Sequence, residues 1–265
     1  MSKSKGNVVT PMNLLQEYGS DAVRYWAAMG RPGTDTAFDT GQMKIGRRLA
    51  IKILNASKFG LTLGANLNFE KITNPRDKSM LAQLVIVVQN ATKAFASYDY
   101  TKALESIESF FWNFTDDYLE LIKERIYGAQ GETEAESAKA AVGLALSVLQ
   151  RSFAPFLPFV AEEVWSWWQA GSIHKSPWPK AEEITPYAQN PELLADISAV
   201  LTEVRKAKTV AQLSMRADVS NLEISCNETM ASHLKVGEKD LFAAGRIQNL
   251  EISQSQELVI NVTLA

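Results

Sequence analysis

The sequence predicts a mainly α protein: a helical bundle followed by a small α+β domain. Two observations carry that reading. Between about residues 41 and 170 the apolar positions recur at helical spacing, in five long runs separated by short breaks, as in a bundle. Beyond residue 212 the period shortens to two in three separate stretches, which marks half-buried strands.

The first forty residues read as loop and short helices. Pro11 sits early in a helix through Leu14, Leu15 and Tyr18. Gly19 stops it, and Asp21 opens a second helix carrying Val23, Tyr25 and Trp26. Gly30-Arg31-Pro32-Gly33 then interrupts regular structure. Long helices are expected over 41–62, 78–97, 101–127, 134–152 and 157–170, with Asn74-Pro75 in the first connection and a break at 128–133. Pro155, Pro158, Pro177 and Pro179 punctuate the region after the fourth long helix. One more helix is expected over 191–212 and a short one over 230–242. Strands are expected over 219–225, 247–252 and 257–263, the last two joined as a hairpin through 253–256. The expected division is 1–40 as a connecting segment, 41–188 as the bundle and 189–265 as the α+β domain.

Composition narrows the function classes. Lysine and arginine total 27 against 30 acidic residues, a net charge of −3, so any polyanion site must come from local segregation of charge. Hydrophobic residues at 46% and charged residues at 22% argue against wholesale disorder. Cys226 is alone, which excludes an intrachain disulfide and fits a reducing, cytoplasmic compartment. His174 and His233 are far apart and lack neighbours at ligand spacing, so no metal is expected. No apolar run reaches the roughly 18 residues of a membrane span, and Lys3 and Lys5 are followed by no apolar stretch of a signal peptide.

The window from Thr40 to Phe69 holds Lys44, Arg47, Arg48, Lys52 and Lys58 and no acid. At about 100° per residue it separates into two arcs. Met43, Ile45, Leu49, Ala50, Ile53, Leu54 and Leu61 form an apolar arc, read as core. Lys44, Arg48, Lys52, Asn55 and Phe59 form the opposite arc, with Arg47 and Lys58 beside them. Periodicity leaves two readings of that arc open: a solvated helix face, or a track for a polyanion. In the second reading the cations neutralise phosphates while an amide and an aromatic ring meet unpaired bases.

Other charged and aromatic runs read as structure. Phe110-Phe111-Trp112-Asn113-Phe114 is flanked by Asp116 and Asp117, which repel phosphate, so its rings are expected in the core. Phe153 to Phe159, with Trp165, Trp167 and Trp168, reads as a packed helix junction; Lys206, Lys208 and Arg216 are open to two readings, a further contact with the polyanion or solvated surface, the second being favoured. No nucleophile–base pair or glycine-rich phosphate cradle points to a free-standing enzyme.

Several short segments resemble one family. Met1-Ser2-Lys3-Ser4, followed by Lys5-Gly6-Asn7-Val8-Val9, resembles the KMSKS loop of class I aminoacyl-tRNA synthetases without its leading lysine. The G-x-D-A-x-R pattern that follows in that family is matched by Gly19, Asp21, Ala22 and Arg24. Gly33-Thr34-Asp35-Thr36-Ala37-Phe38-Asp39 and Leu54-Asn55-Ala56-Ser57-Lys58-Phe59 look like the valyl branch. The runs Trp112 to Glu120, Pro155 to Trp165, Ser172-Ile173-His174 and Ser176-Pro177-Trp178-Pro179 are similar to its helical domain, so the likeness covers about residues 1–180.

That resemblance implies the anticodon-binding bundle of a valine–tRNA ligase, cut off within the KMSKS motif, without catalytic and editing domains and inactive alone. In the full-length enzyme Lys3, with Ser2 and Ser4 shaping the loop, acts on the phosphates of the substrate ATP; the fragment itself carries no cofactor. The implied partners are tRNA(Val), contacted through Lys44, Arg47, Arg48, Lys52, Asn55 and Phe59, and the missing catalytic domain of the same polypeptide. The chain is expected to be a monomer with no membrane partner. The alternatives are a helical docking domain for an acidic protein, or the same domain of an isoleucyl or leucyl relative.

Overall fold

The structure is a computed structural model that describes residues 11–31, 33–35 and 38–265. It is mainly helical, with a three-stranded sheet near the C-terminus. The helices are α1 (Pro11–Tyr18), α2 (Ser20–Ala28), α3 (Thr40–Thr62), α4 (Pro75–Ala96), α5 (Tyr100–Asn113), α6 (Leu119–Leu121), α7 (Lys123–Ile126), α8 (Glu132–Phe153), α9 (Pro158–Ser166), α10 (Pro191–Val210) and α11 (Glu228–Gly245). The strands are β1 (Val219–Cys226), β2 (Leu250–Gln254) and β3 (Val259–Leu264). Two compact units result. One holds the described residues up to Thr62 with Val88–Glu108 and Leu146–Pro179; the other holds Leu63–Val87, Ser109–Ala145 and Lys180–Ala265.

In the first unit α1 and α2 are separated by Gly19, whose φ of +88° is costly for any residue with a Cβ. The G-x-D-A-x-R residues then act as a clamp. Asp21 accepts hydrogen bonds from the N–H groups of Phe159 (3.1 Å) and Val160 (2.8 Å), so a carboxylate from α2 caps the start of α9. Arg24 donates to the carbonyls of Pro155 (2.9 Å) and Phe156 (3.3 Å). Ala22 is buried between them in sequence. Phe95 stacks on Phe156 with ring centroids 5.6 Å apart and meets Trp178 edge-on at 4.9 Å. The expected helix over 157–170 is shorter, Pro158–Ser166, and Phe159 is exposed on it.

In the second unit the expected helix over 101–127 is broken. After α5 the chain widens into a π turn, Phe114–Tyr118, and continues as the short α6 and α7. Phe114 and Tyr118 face inward there, continuing the buried row of Phe110 and Phe111. Asp117 faces Arg205 of α10 at 2.6 Å.

The expected hairpin between the last two strands is also corrected. The sheet order is β2-β1-β3, with β1 parallel to β2 and antiparallel to β3. β1 is the strand with four buried positions, Val219, Leu222, Ile224 and Cys226, and so takes the centre. Helix α11, packed against α10, provides the crossover that a parallel pair requires. Residues 255–258 then cross from one edge to the other. Two strand spacings amount to about 10 Å, within the roughly 13 Å that four extended residues span. The Ser255 N–H bonds the Cys226 carbonyl (2.9 Å) as the chain passes the end of β1.

A buried charge network lies at the base of α4 in this unit. Arg125 donates to both carboxylate oxygens of Asp77 (2.6 and 2.9 Å) and to Asp240 of α11 (3.1 Å). Asp77 also accepts from Ser137 (2.6 Å) and from the Tyr118 hydroxyl (2.8 Å). Arg76 lies 3.0 Å from Asp240.

Candidate nucleic-acid interface

Helix α3 is 23 residues long, and Asp39 accepts a hydrogen bond from the Gly41 N–H (2.7 Å) at its start, satisfying one of the donors a helix N-terminus leaves unpaired. Its buried stripe is Met43, Gly46, Leu49, Ile53, Ala56, Ser57 and Gly60. Burial of the large members stabilises the helix by roughly 1.5–3 kcal/mol each. Gly46 sets the approach of α2: a Cβ there would lie 2.6 Å from Tyr25 Cβ, well inside van der Waals contact. Tyr25 is buried beneath and donates to Glu108 (2.8 Å); burial, with the nearby Glu108 carboxylate, pushes its pKa up and keeps it neutral. Ser57 accepts from Gln150 of α8 (3.0 Å), which in turn accepts from the Trp168 indole (3.0 Å).

The opposite side of α3 is open. Lys44, Arg47, Arg48, Asn55 and Lys58 are exposed, and Lys52 and Phe59 are half-buried. Arg47 donates to the Glu17 carbonyl (2.6 Å) near the end of α1. Among the described residues, no carboxylate pairs with Lys44, Arg47, Arg48 or Lys58. All of the candidate binding residues from Lys44 to Phe59 thus share one side of one helix. Lys3, Ser2 and Ser4 lie outside the described residues.

The apolar arc is narrower than periodicity indicates. Ile45, Ala50, Leu54 and Leu61 are half-buried, while Gly46, Ala56, Ser57 and Gly60 complete the inward stripe. The recurrence of small residues on that side was the available signal. Ile51, 51% exposed, stands among the cations on the outward face.

Of the lysines near the helix-to-strand junction, Lys208 departs from its expected solvated position. It is 1% exposed, and its ammonium donates to the carbonyls of Gly245 (2.8 Å) and Met215 (3.2 Å). Lys206 is exposed beside Glu203, and Arg216 is exposed. The acids after the aromatic run are partly engaged, Asp117 by Arg205 and Glu120 by Lys123.

A mainly helical chain with a small appended sheet defines the class of protein, and sequence comparison gives that class a family. The family described as the anticodon-binding domain of tRNA ligase matches residues 77–224, more than half of the chain, and the chain belongs to it. A second description, tRNA synthetases class I (I, L, M and V), matches residues 1–39, so α3 lies between the two matched segments.

Among similar proteins, the valine–tRNA ligase of Thermobifida fusca is 56% identical over 100% of this chain and 30% of its own length. That of Cutibacterium acnes is 49% identical over 100% of this chain and 31% of its own length. The chain thus spans about 30% of the length of such curated relatives. In fold it is similar to the leucyl enzyme in a ternary complex of Agrobacterium radiobacter K84 LeuRS with tRNA and LeuAMS. That match has a TM-score of 0.54 at 20% identity, over 69% of this chain and 23% of the other.

Proposed function

We propose that the chain is the tRNA-reading part of a valine–tRNA ligase and that α3 lies along the anticodon arm of tRNA(Val). The observation that carries this reading is the exposed row of Lys44, Arg47, Arg48, Asn55 and Lys58, which no carboxylate among the described residues neutralises. The cations meet phosphates, and Asn55 and Phe59 meet unpaired bases. Under this proposal 41–188 supplies the RNA contacts and 189–265 is an appended domain. The whole enzyme joins valine to tRNA with ATP in the cytoplasm, and Lys3, Ser2 and Ser4 serve the ATP phosphates there. Positive charge is then aimed at charge developing in the transition state. The chain acts as a monomer.

Binding of the purified chain to tRNA(Val) transcript, and to the same transcript with an altered anticodon, tests the reading. Preference for the former is expected. The variant Lys44→Glu/Arg48→Glu/Lys58→Glu should bind tRNA(Val) far more weakly. Equal binding of both transcripts removes the anticodon assignment, and unchanged binding by the variant removes α3 from the interface. Binding that tracks an acidic protein instead of tRNA would favour the docking alternative.

A further inference from the structure

A second concentration of positive charge lies in the other unit, where α10 meets the loop before β1 and the end of α11. A cavity of about 500 Å³ there is lined by Arg205, Lys208, Arg216 and Arg246, together with Lys123 and Glu120. We propose that this cavity is a binding site for a phosphate-class oxyanion, held between Lys208, Arg216 and Arg246. The proposal is independent of the α3 reading.

Lys208 is the reason to expect an anion. Two of its three ammonium protons go to the Gly245 and Met215 carbonyls, and no carboxylate pairs with it among the described residues. A buried cation held only by neutral carbonyls is under-compensated. In keeping with this, burial and the neighbouring positive charge of Arg246 push its pKa down, against a smaller opposing pull from Asp218. An oxyanion accepting the third proton removes that deficit.

The surrounding guanidinium groups have donors to offer. Arg246 gives its Nε–H to Asp218 (2.6 Å). Arg205 gives two bonds, to Asp117 (2.6 Å) and to the Asp116 carbonyl (2.7 Å). Arg216 is exposed, and its guanidinium makes no hydrogen bond or ion pair among the described residues; the loop is shaped instead by its backbone N–H on the Ser214 hydroxyl (3.2 Å). Each arginine carries five N–H donors in a planar fork that matches tetrahedral oxyanions. Glu120, paired with Lys123 at 3.1 Å, and Glu124 also line the cavity, and their carboxylates disfavour an anion beside them.

The test is a titration of the full chain with inorganic phosphate at ionic strength held constant with chloride, followed by amide and lysine-side-chain nuclear magnetic resonance. Saturating shifts are expected at residues 214–217, 245–247 and the Lys208 ammonium. Arg216→Ser, at an exposed position whose side chain has no hydrogen-bond partner among the described residues, should weaken phosphate binding about tenfold. Lys208→Met should abolish it; should that variant fail to fold, Arg216→Ser still decides. Lys44→Glu/Arg48→Glu/Lys58→Glu should bind phosphate as the parent does, which separates this site from α3. Displacement of phosphate by tRNA supports the site with an RNA phosphate as its ligand; persistence of phosphate beside tRNA supports it with a free oxyanion. Shifts that fail to saturate, or an Arg216→Ser variant that binds equally well, overturn the proposal.

Discussion

Replacing Arg125 by leucine isolates the energetics of the buried charge network. The Arg125 and Asp77 side chains are both 0% exposed, and Asp240 is 2% exposed. Without Arg125, Asp240 keeps Arg76 at 3.0 Å and the Gln130 amide at 2.6 Å. Asp77 keeps only neutral donors, Tyr118 and Ser137. One buried carboxylate therefore loses its directly bonded counter-charge and keeps only the more distant one of Arg76, a change that costs about 3–5 kcal/mol. In a chain of this size that lowers the melting temperature by roughly 10 °C.

Urea and thermal melts followed by circular dichroism measure the loss, and hydrogen exchange of α11 and of residues 75–87 places it in the second unit. The double variant Arg125→Leu/Asp77→Leu should be less destabilised than Arg125→Leu alone, because the orphaned charge is gone. The pH dependence has a defined sign. Burial alone would raise the Asp77 pKa, but the charge and hydrogen bonds of Arg125, with Ser137 and Tyr118, hold it below the ordinary carboxylate value. A depressed folded-state pKa gives stability that is complete above the unfolded value and is lost as pH falls through the folded one. In Arg125→Leu burial prevails, so the variant's deficit should shrink on acidification. A variant within about 1 kcal/mol of the parent at neutral pH refutes the reasoning.

Two further substitutions probe the first unit. Gly46→Ala gains about 1 kcal/mol in helix propensity, but its Cβ meets the stiff Tyr25 side chain at 2.6 Å. Overpacking of about 1–3 kcal/mol should win; a more stable variant in a thermal melt would show that α2 yields freely. Asp21→Asn removes the charge at the start of α9 and should cost about 1 kcal/mol. Hydrogen exchange of Phe159 and Val160 should rise in that variant, and unaltered protection there would remove Asp21 as the cap.

The long helices were legible because their signal is local: period and breaks place α3, α4, α8 and α10 within a few residues. The charged side of α3 was legible for the same reason. What escaped depends on partners distant in sequence. Arg125 pairs with Asp77 and Asp240, 48 and 115 residues away, and nothing around it in the sequence marks it as buried. The π turn over Phe114–Tyr118 also escaped: Phe110, Phe114 and Tyr118 are spaced four apart, so an unbroken α-helix would place them on one face just as well. Strand order failed for a related reason: a four-residue link between two alternating runs is compatible with a hairpin or with a crossing over a central strand, and only the burial of β1 decides. The G-x-D-A-x-R pattern was visible as a resemblance, but its physical role, clamping the chain around residues 155–160, needed the fold.

Under the proposed function, charge segregation is what lets an acidic chain bind a polyanion. Five of its 27 basic side chains fall between Thr40 and Phe69, where there is no acid, so the other 22 share the chain with all 30 acidic residues. Averaged over the rest of the chain the charge is acidic, so under the proposed function an incoming phosphate chain is favoured chiefly where α3 faces it. Affinity is then carried by few contacts, which predicts a shallow salt dependence in place of the steep one of a broadly basic protein. Each cation that neutralises a single-stranded phosphate contributes about 0.7 to the slope of log K against log salt. The triple variant Lys44→Glu/Arg48→Glu/Lys58→Glu should therefore lower the slope by roughly 2. Between 50 and 200 mM salt that corresponds to about twentyfold less variation in affinity than the parent shows. A variant whose slope equals the parent's would mean that the phosphates are met elsewhere on the molecule, whatever its loss in affinity.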